Sequence, residues 1–139
     1  MRAASFNQAL HRTRRNSASV NLPLAIKPYT MRHIKESDWK YLRKIKDQIL
    51  NRHCDAILEV IDLINENRKG EEHKSYIQIY RLLEDKDKEI AATYNDIKRS
   101  NAIEKIYLMR KHLAMTGEEF SKFSVETKDL VDHLQSLEI

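Results

Sequence analysis

Three polar side chains stand where the surrounding spacing asks for apolar ones. Asp87 falls between Leu83 and Ile90, Arg110 between Ile106 and Leu113, and His53 between Ile49 and Ile57. If the helical faces that carry them meet, a carboxylate, a guanidinium and an imidazole converge in an apolar interior. An unpaired buried charge is costly, so Asp87 is expected to pair with Arg110 or Arg99. The expected role of the cluster is a buried salt bridge that fixes helix register. Its alternative is an acid–base or small-ligand site in which burial and charge shift the titration of these groups. No nucleophile or anion-binding loop accompanies them, which weighs toward the structural role, and no catalytic residue is assigned.

Other chemistries are excluded by residue type and spacing. Two glycines cannot build a phosphate-binding loop. Cys54 is the one cysteine, so neither an intramolecular disulfide nor a C-x-x-C motif is available, and a single thiol suits a reducing cytosol. No H-E-x-x-H occurs, and none of the six histidines lies three residues after a glutamate, as a di-iron bundle requires. Asp129 and Asp132 beside His133 make half of a metal site without a second half, so neither metal nor cofactor is expected. Tyr76, Tyr80 and Tyr94 recur along one helical stretch, and Trp39 opens another. Interfaces favour such anchors, which makes these four the interaction candidates. Their commoner use is at the edge of a core, with the hydroxyl reaching water and Trp39 packed under a helix start.

The elements that hold these residues are helical. With 2 Gly and 2 Pro in 139 residues, the chain lacks the turns of an all-β fold. Ser37 reads as an N-cap, followed by apolar residues at Leu42, Ile45, Ile49, Ala56, Val60 and Ile64. A second stripe runs Leu50, Cys54, Ile57, Ile61 and Ile64. Two adjacent stripes suit a helix covered by two neighbours. Gly70 closes this stretch of roughly thirty residues, ~45 Å if straight and long enough for a kink. Tyr76, Tyr80, Leu83, Asp87, Ile90, Tyr94 and Ile97 then form a seam with alternating steps of four and three. Ser100 caps a third helix with Ile103, Ile106, Tyr107 and Leu113 on its face, ending at Gly117. Thr116 and Glu119 have capping-box spacing. Ser124 caps the last helix, whose face carries Leu130, Val131, Leu134 and Leu137. Short connections predict antiparallel neighbours. The fold class is therefore all-α, an antiparallel bundle of four to five helices over 31–139, preceded by a disordered basic leader over 1–30.

Charge is unevenly placed. Arg2, Arg12, Arg14, Arg15 and Lys27 lie in residues 1–30 with no acid among them, leaving 20 basic and 21 acidic residues in the rest. The net charge of +4 thus belongs to the leader, which also holds Pro23 and Pro28 and no helical period. A nucleic-acid role would use this leader and the surface from Arg32 to Arg52, where Lys40, Arg43 and Lys44 share a face. Without a helix-turn-helix signature such a patch ordinarily serves solubility. No stretch is apolar and long enough to span a bilayer or form a secretory signal, so no membrane role is expected and the cytoplasm is the default.

Two resemblances add to this. The segment from Phe6 to Thr13, FNQALHRT, resembles translated intergenic repeats of bacterial genomes, which makes Met31 the expected start. Glu36-Ser37-Asp38-Trp39-Lys40, Asn51-Arg52-His53-Cys54, Tyr80-Arg81-Leu82-Leu83, Lys86-Asp87-Lys88-Glu89-Ile90-Ala91, Arg99-Ser100, Thr116-Gly117-Glu118-Glu119 and Phe123-Ser124-Val125-Glu126-Thr127 resemble a family of small uncharacterised bacterial all-helical proteins. The resemblance spans about residues 34–135 and implies a helical body. An aromatic commonly stands there in place of His53, which speaks against catalysis by that residue. The family carries no established activity. The leading functional expectation is a non-enzymatic module that binds a protein partner or a second copy of itself.

Overall fold

A computed structural model of the chain describes residues 34–138. The leader 1–30, the Met31 start and Arg32 lie outside the described residues. Within them the fold is all-α: five α-helices and one turn of 3-10 helix, with no strand. Helix α1 spans Glu36–Glu66, α2 Glu72–Tyr94, α3 Ala102–Lys111, α4 Gly117–Ser121 and α5 Val125–Ser136; the 3-10 turn Arg99–Asn101 leads into α3. The chain divides into two compact units, one containing Arg52–Asn95 and the other residues 34–51 with 96–138. Helix α1 is continuous and lends its first half to one unit and its second half to the other.

The unit built from 34–51 and 96–138 holds most of the apolar core. Leu42, Ile45 and Ile49 bury one face of α1; Phe120, Phe123, Val131 and Leu134 come from the later elements. Helix α3 is buried nearly all round, through Ala102, Ile103, Ile106, Tyr107, Leu108 and Met109, and is the central element. Ion pairs mark which ends meet. Glu36 at the start of α1 holds Arg99 just before α3, Lys35 holds Glu126 at the start of α5, and Lys111 ending α3 holds Glu138 beyond α5. Helices α1, α3 and α5 therefore start at one end of this unit. The segment containing α4 carries the chain back from the end of α3 to the start of α5.

Local signals decide the boundaries. The Thr116–Glu119 capping box forms in full, and Ser124 caps α5 by accepting from Thr127 N–H. Three boundaries differ from expectation. Helix α1 begins at Glu36, one residue before Ser37. Asn101, not Ser100, organises the entry to α3: its Oδ1 accepts from Lys98 N–H at 2.9 Å and its amide donates to Asp96 O at 2.7 Å. Helix α3 stops at Lys111, well before Gly117, because Leu113 turns left-handed at φ 58° while Ala114 and Met115 N–H both reach Met109 O. Leu113 consequently leaves the apolar face and is 87% exposed.

The unit Arg52–Asn95 is an antiparallel helical hairpin. Residues 67–71 join the end of α1 to α2, with Gly70 at φ 83° in the left-handed region that closes the turn. The fully buried positions of α2 are Ser75, Ala91 and Thr93; of the Tyr76–Tyr94 seam, Tyr76 is exposed and the rest are half-buried. Ile97 falls outside α2 altogether.

Candidate functional site

His53 is the centre of the hairpin's polar chemistry. It is 5% exposed, and both ring nitrogens are engaged. Nε2 lies 2.7 Å from Glu89 Oε2 and Nδ1 lies 2.9 Å from the Tyr94 hydroxyl, with the two rings edge to face at 5.6 Å. The Glu89 carboxylate accepts from Nε2–H, and Nδ1 shares a hydrogen bond with the Tyr94 hydroxyl. Helix α2 places both partners, Glu89 and Tyr94 coming from its last turns opposite the turn of α1 that carries His53. Lys86 Nζ approaches the other Glu89 oxygen at 3.4 Å.

The polar group around His53 is thus made by Glu89 and Tyr94 rather than by Asp87 and Arg110, because both imidazole nitrogens are already bonded. Asp87 is half-buried on α2 and belongs to the hairpin. Arg110 belongs to the other unit, where its guanidinium lies 4.5 Å from the Phe120 ring centre and donates to Met115 O. Arg99 is engaged elsewhere too. It forks onto Glu36 through two bonds of 2.9 and 3.0 Å, which hold the Glu36 carboxyl below the usual carboxylate range, and it covers the Trp39 ring at 5.4 Å.

Glu89, His53 and Tyr94 form a carboxylate–imidazole–phenol chain that ends at the Tyr94 oxygen. Burial pushes the Tyr94 phenol well above its ordinary value, with Cys54 and Glu89 adding to the effect, so the hydroxyl stays protonated at neutral pH. Burial also raises the Cys54 thiol, which disfavours the reactive thiolate. The arrangement joins two helices and offers no activated nucleophile. Lys105, on the central helix α3, was not legible as a buried group: it is 3% exposed, and desolvation lowers its ammonium against the opposing pull of Glu104 and Asp96.

Of the four interaction candidates, Trp39 is buried at 7% exposure, and its indole Nε1 meets no acceptor among the described residues. Tyr80 and Tyr94 are half-buried. Tyr76 alone is exposed, at 42%, and stacks on His73 with 6.5 Å between ring centres. The more extensive apolar surface lies on α1. Leu42, Ile45 and Ile49 are buried, yet Ala56, Val60 and Leu63, which continue that face at helical spacing, are exposed, Val60 at 44% and Leu63 at 60%. Val60 was legible as part of a stripe; Leu63, and the change from buried to exposed along one face, were not. In the basic stretch, Lys35 is paired with Glu126 and Lys46 with Asp47, while Lys40, Arg43 and Lys44 are exposed.

Among the described residues no group of three or more His, Cys, Asp or Glu side chains is placed to hold a metal ion, and no helix is long and apolar enough to cross a membrane. Compared with protein-family models, with curated proteins and with solved structures, the chain matches none of them.

Proposed function

We propose that this protein is a non-enzymatic helical interaction module of the cytoplasm that engages a protein partner or a second copy through the second half of α1. One observation carries the reading: the α1 face buried at Leu42, Ile45 and Ile49 stays apolar but uncovered at Ala56, Val60 and Leu63. Scattered exposed apolar residues are ordinary, whereas several in helical register on one face support the reading of an interaction surface. Tyr76 in the same hairpin adds an exposed aromatic.

The test compares the full chain with a Val60→Ser/Leu63→Ser variant by light scattering over a concentration series and by capture of labelled amphipathic helical peptides. Both positions are exposed, so thermal unfolding is expected to be unchanged. Self-assembly or peptide capture, whichever the chain shows, is expected to be lost. No difference in either measurement would end this reading.

A further inference from the structure

The second half of α1 has a charge pattern that the helix does not use for itself. Asp55, Glu59, Asp62 and Glu66 are all exposed, and no Lys or Arg lies between residues 53 and 67. Their steps of four, three and four set them in one row, where like charges repel and destabilise a helix. Glu66 stands in the last turn, which holds no basic residue, so its charge also opposes the helix dipole. The acidic row lies beside the uncovered stripe of Ala56, Val60 and Leu63, since each acid is offset from that stripe by about one residue and consecutive helical residues diverge by ~100°. The opposite flank of α1 is occupied by α2, through His53 with Glu89 and Tyr94.

This juxtaposition selects the occupant. We infer that the stripe docks an amphipathic helix of a partner protein whose apolar face is flanked by Lys and Arg, an inference that rests on the interaction reading above. Apolar side chains of the incoming helix cover Ala56, Val60 and Leu63, and its cations lie along Asp55, Glu59, Asp62 and Glu66. A nucleic acid is repelled by the same row. A second copy packed antiparallel on this face sets acidic flank against acidic flank, which like charges across an interface disfavour.

The experiment uses the full chain and two labelled helical peptides of about 18 residues, five turns. Both share one leucine–alanine face; one is flanked by lysines and the other by glutamates. Fluorescence anisotropy is expected to show the lysine peptide binding at least ~10-fold tighter than the glutamate peptide, and weakening as salt rises. Val60→Ser/Leu63→Ser, with every acid intact, is expected to remove binding. Glu59→Lys/Asp62→Lys, altered only at exposed positions, is expected to shift preference toward the glutamate peptide. Equal affinity for the two peptides overturns the inference. So does lysine-peptide binding that survives loss of Val60 and Leu63, which would be charge attraction alone. A peptide-free dimer that the serine variant dissociates assigns the face to a second copy; that overturns the inference and leaves the interaction reading standing. If the serine variant alters neither assembly nor peptide binding, the interaction reading itself fails.

Discussion

Asp38 illustrates how much one side chain can hold. It is 3% exposed in the first turn of α1, where its carboxylate accepts from Ser124 N–H at 2.9 Å, Ser124 Oγ at 2.5 Å and Thr127 Oγ1 at 2.7 Å. A buried carboxylate at the N-terminus of α5 both satisfies those donors and complements the helix dipole. Asp38→Ala leaves three donors unsatisfied and is expected to lower stability by about 3 kcal/mol, measured by urea unfolding, with Asp38→Asn intermediate. A change under about 1 kcal/mol would mean that water replaces the carboxylate. Tyr94 gives a pH signature. Its pKa is raised in the fold above the ordinary value of 10, so its contribution is intact below pH 10 and lost as pH rises beyond it. Alkaline unfolding followed by circular dichroism should therefore steepen above pH 10. Tyr94→Phe, lacking the hydroxyl bonded to His53, should lose about 1 kcal/mol at neutral pH yet show a shallower alkaline decline.

At the scale of elements, helix identity follows from spacing, while helix ends and partners depend on contacts between distant residues. The Thr116–Glu119 box and the Ser124 cap were legible because both are completed within four residues. The end of α3 was not, since nothing in Leu113 announces a left-handed residue and the bonds that hold it there run back to Met109 and Arg110. That conformation costs a non-glycine residue roughly 1–2 kcal/mol. Because Leu113 is exposed, Leu113→Gly sacrifices no packing and is expected to raise stability by about 0.5–1 kcal/mol, net of the greater freedom glycine gives the unfolded chain. An unchanged or lowered melting temperature would show that the leucine side chain is held by something outside its own turn. Glu89 was legible in principle. His53 lies 17 residues before Gly70 and Glu89 lies 19 after it, so folding the sequence about that glycine brings Glu89 to within two residues of the position opposite His53. Asp87, 17 residues after Gly70, is nearer still by this count. The local pitch of α2, which a linear count does not contain, selects Glu89.

For the whole molecule, the distribution of buried residues sets the order in which parts open. The buried apolar residues of the hairpin Arg52–Asn95 are Ile57 and Ala91, whereas the other unit buries Leu42, Ile49, Ile103, Ile106, Tyr107, Met109, Val131 and Leu134 almost completely. Opening free energy follows buried apolar contact, so the two units should differ even though they share α1. Native-state hydrogen exchange is expected to show α2 and the second half of α1 opening at lower free energy than α3 and α5. Ile106→Ala should cost about 2–5 kcal/mol and lower protection in α3 and α5. Ile57→Ala is half of a thinner core and should cost less, with its effect confined to the hairpin. The same measurement also bears on the exposed α1 stripe. A helix face that is finished by a partner becomes more protected when the partner is present, because a ligand stabilises the state it binds. Lysine-flanked amphipathic peptide at saturating concentration should therefore slow exchange across residues 52–94 and leave α3 and α5 nearly unchanged. Uniform slowing in both units would mean that the peptide acts on the whole molecule rather than on the hairpin. Equal protection of hairpin and core without any peptide would mean that the hairpin needs no partner to be stable.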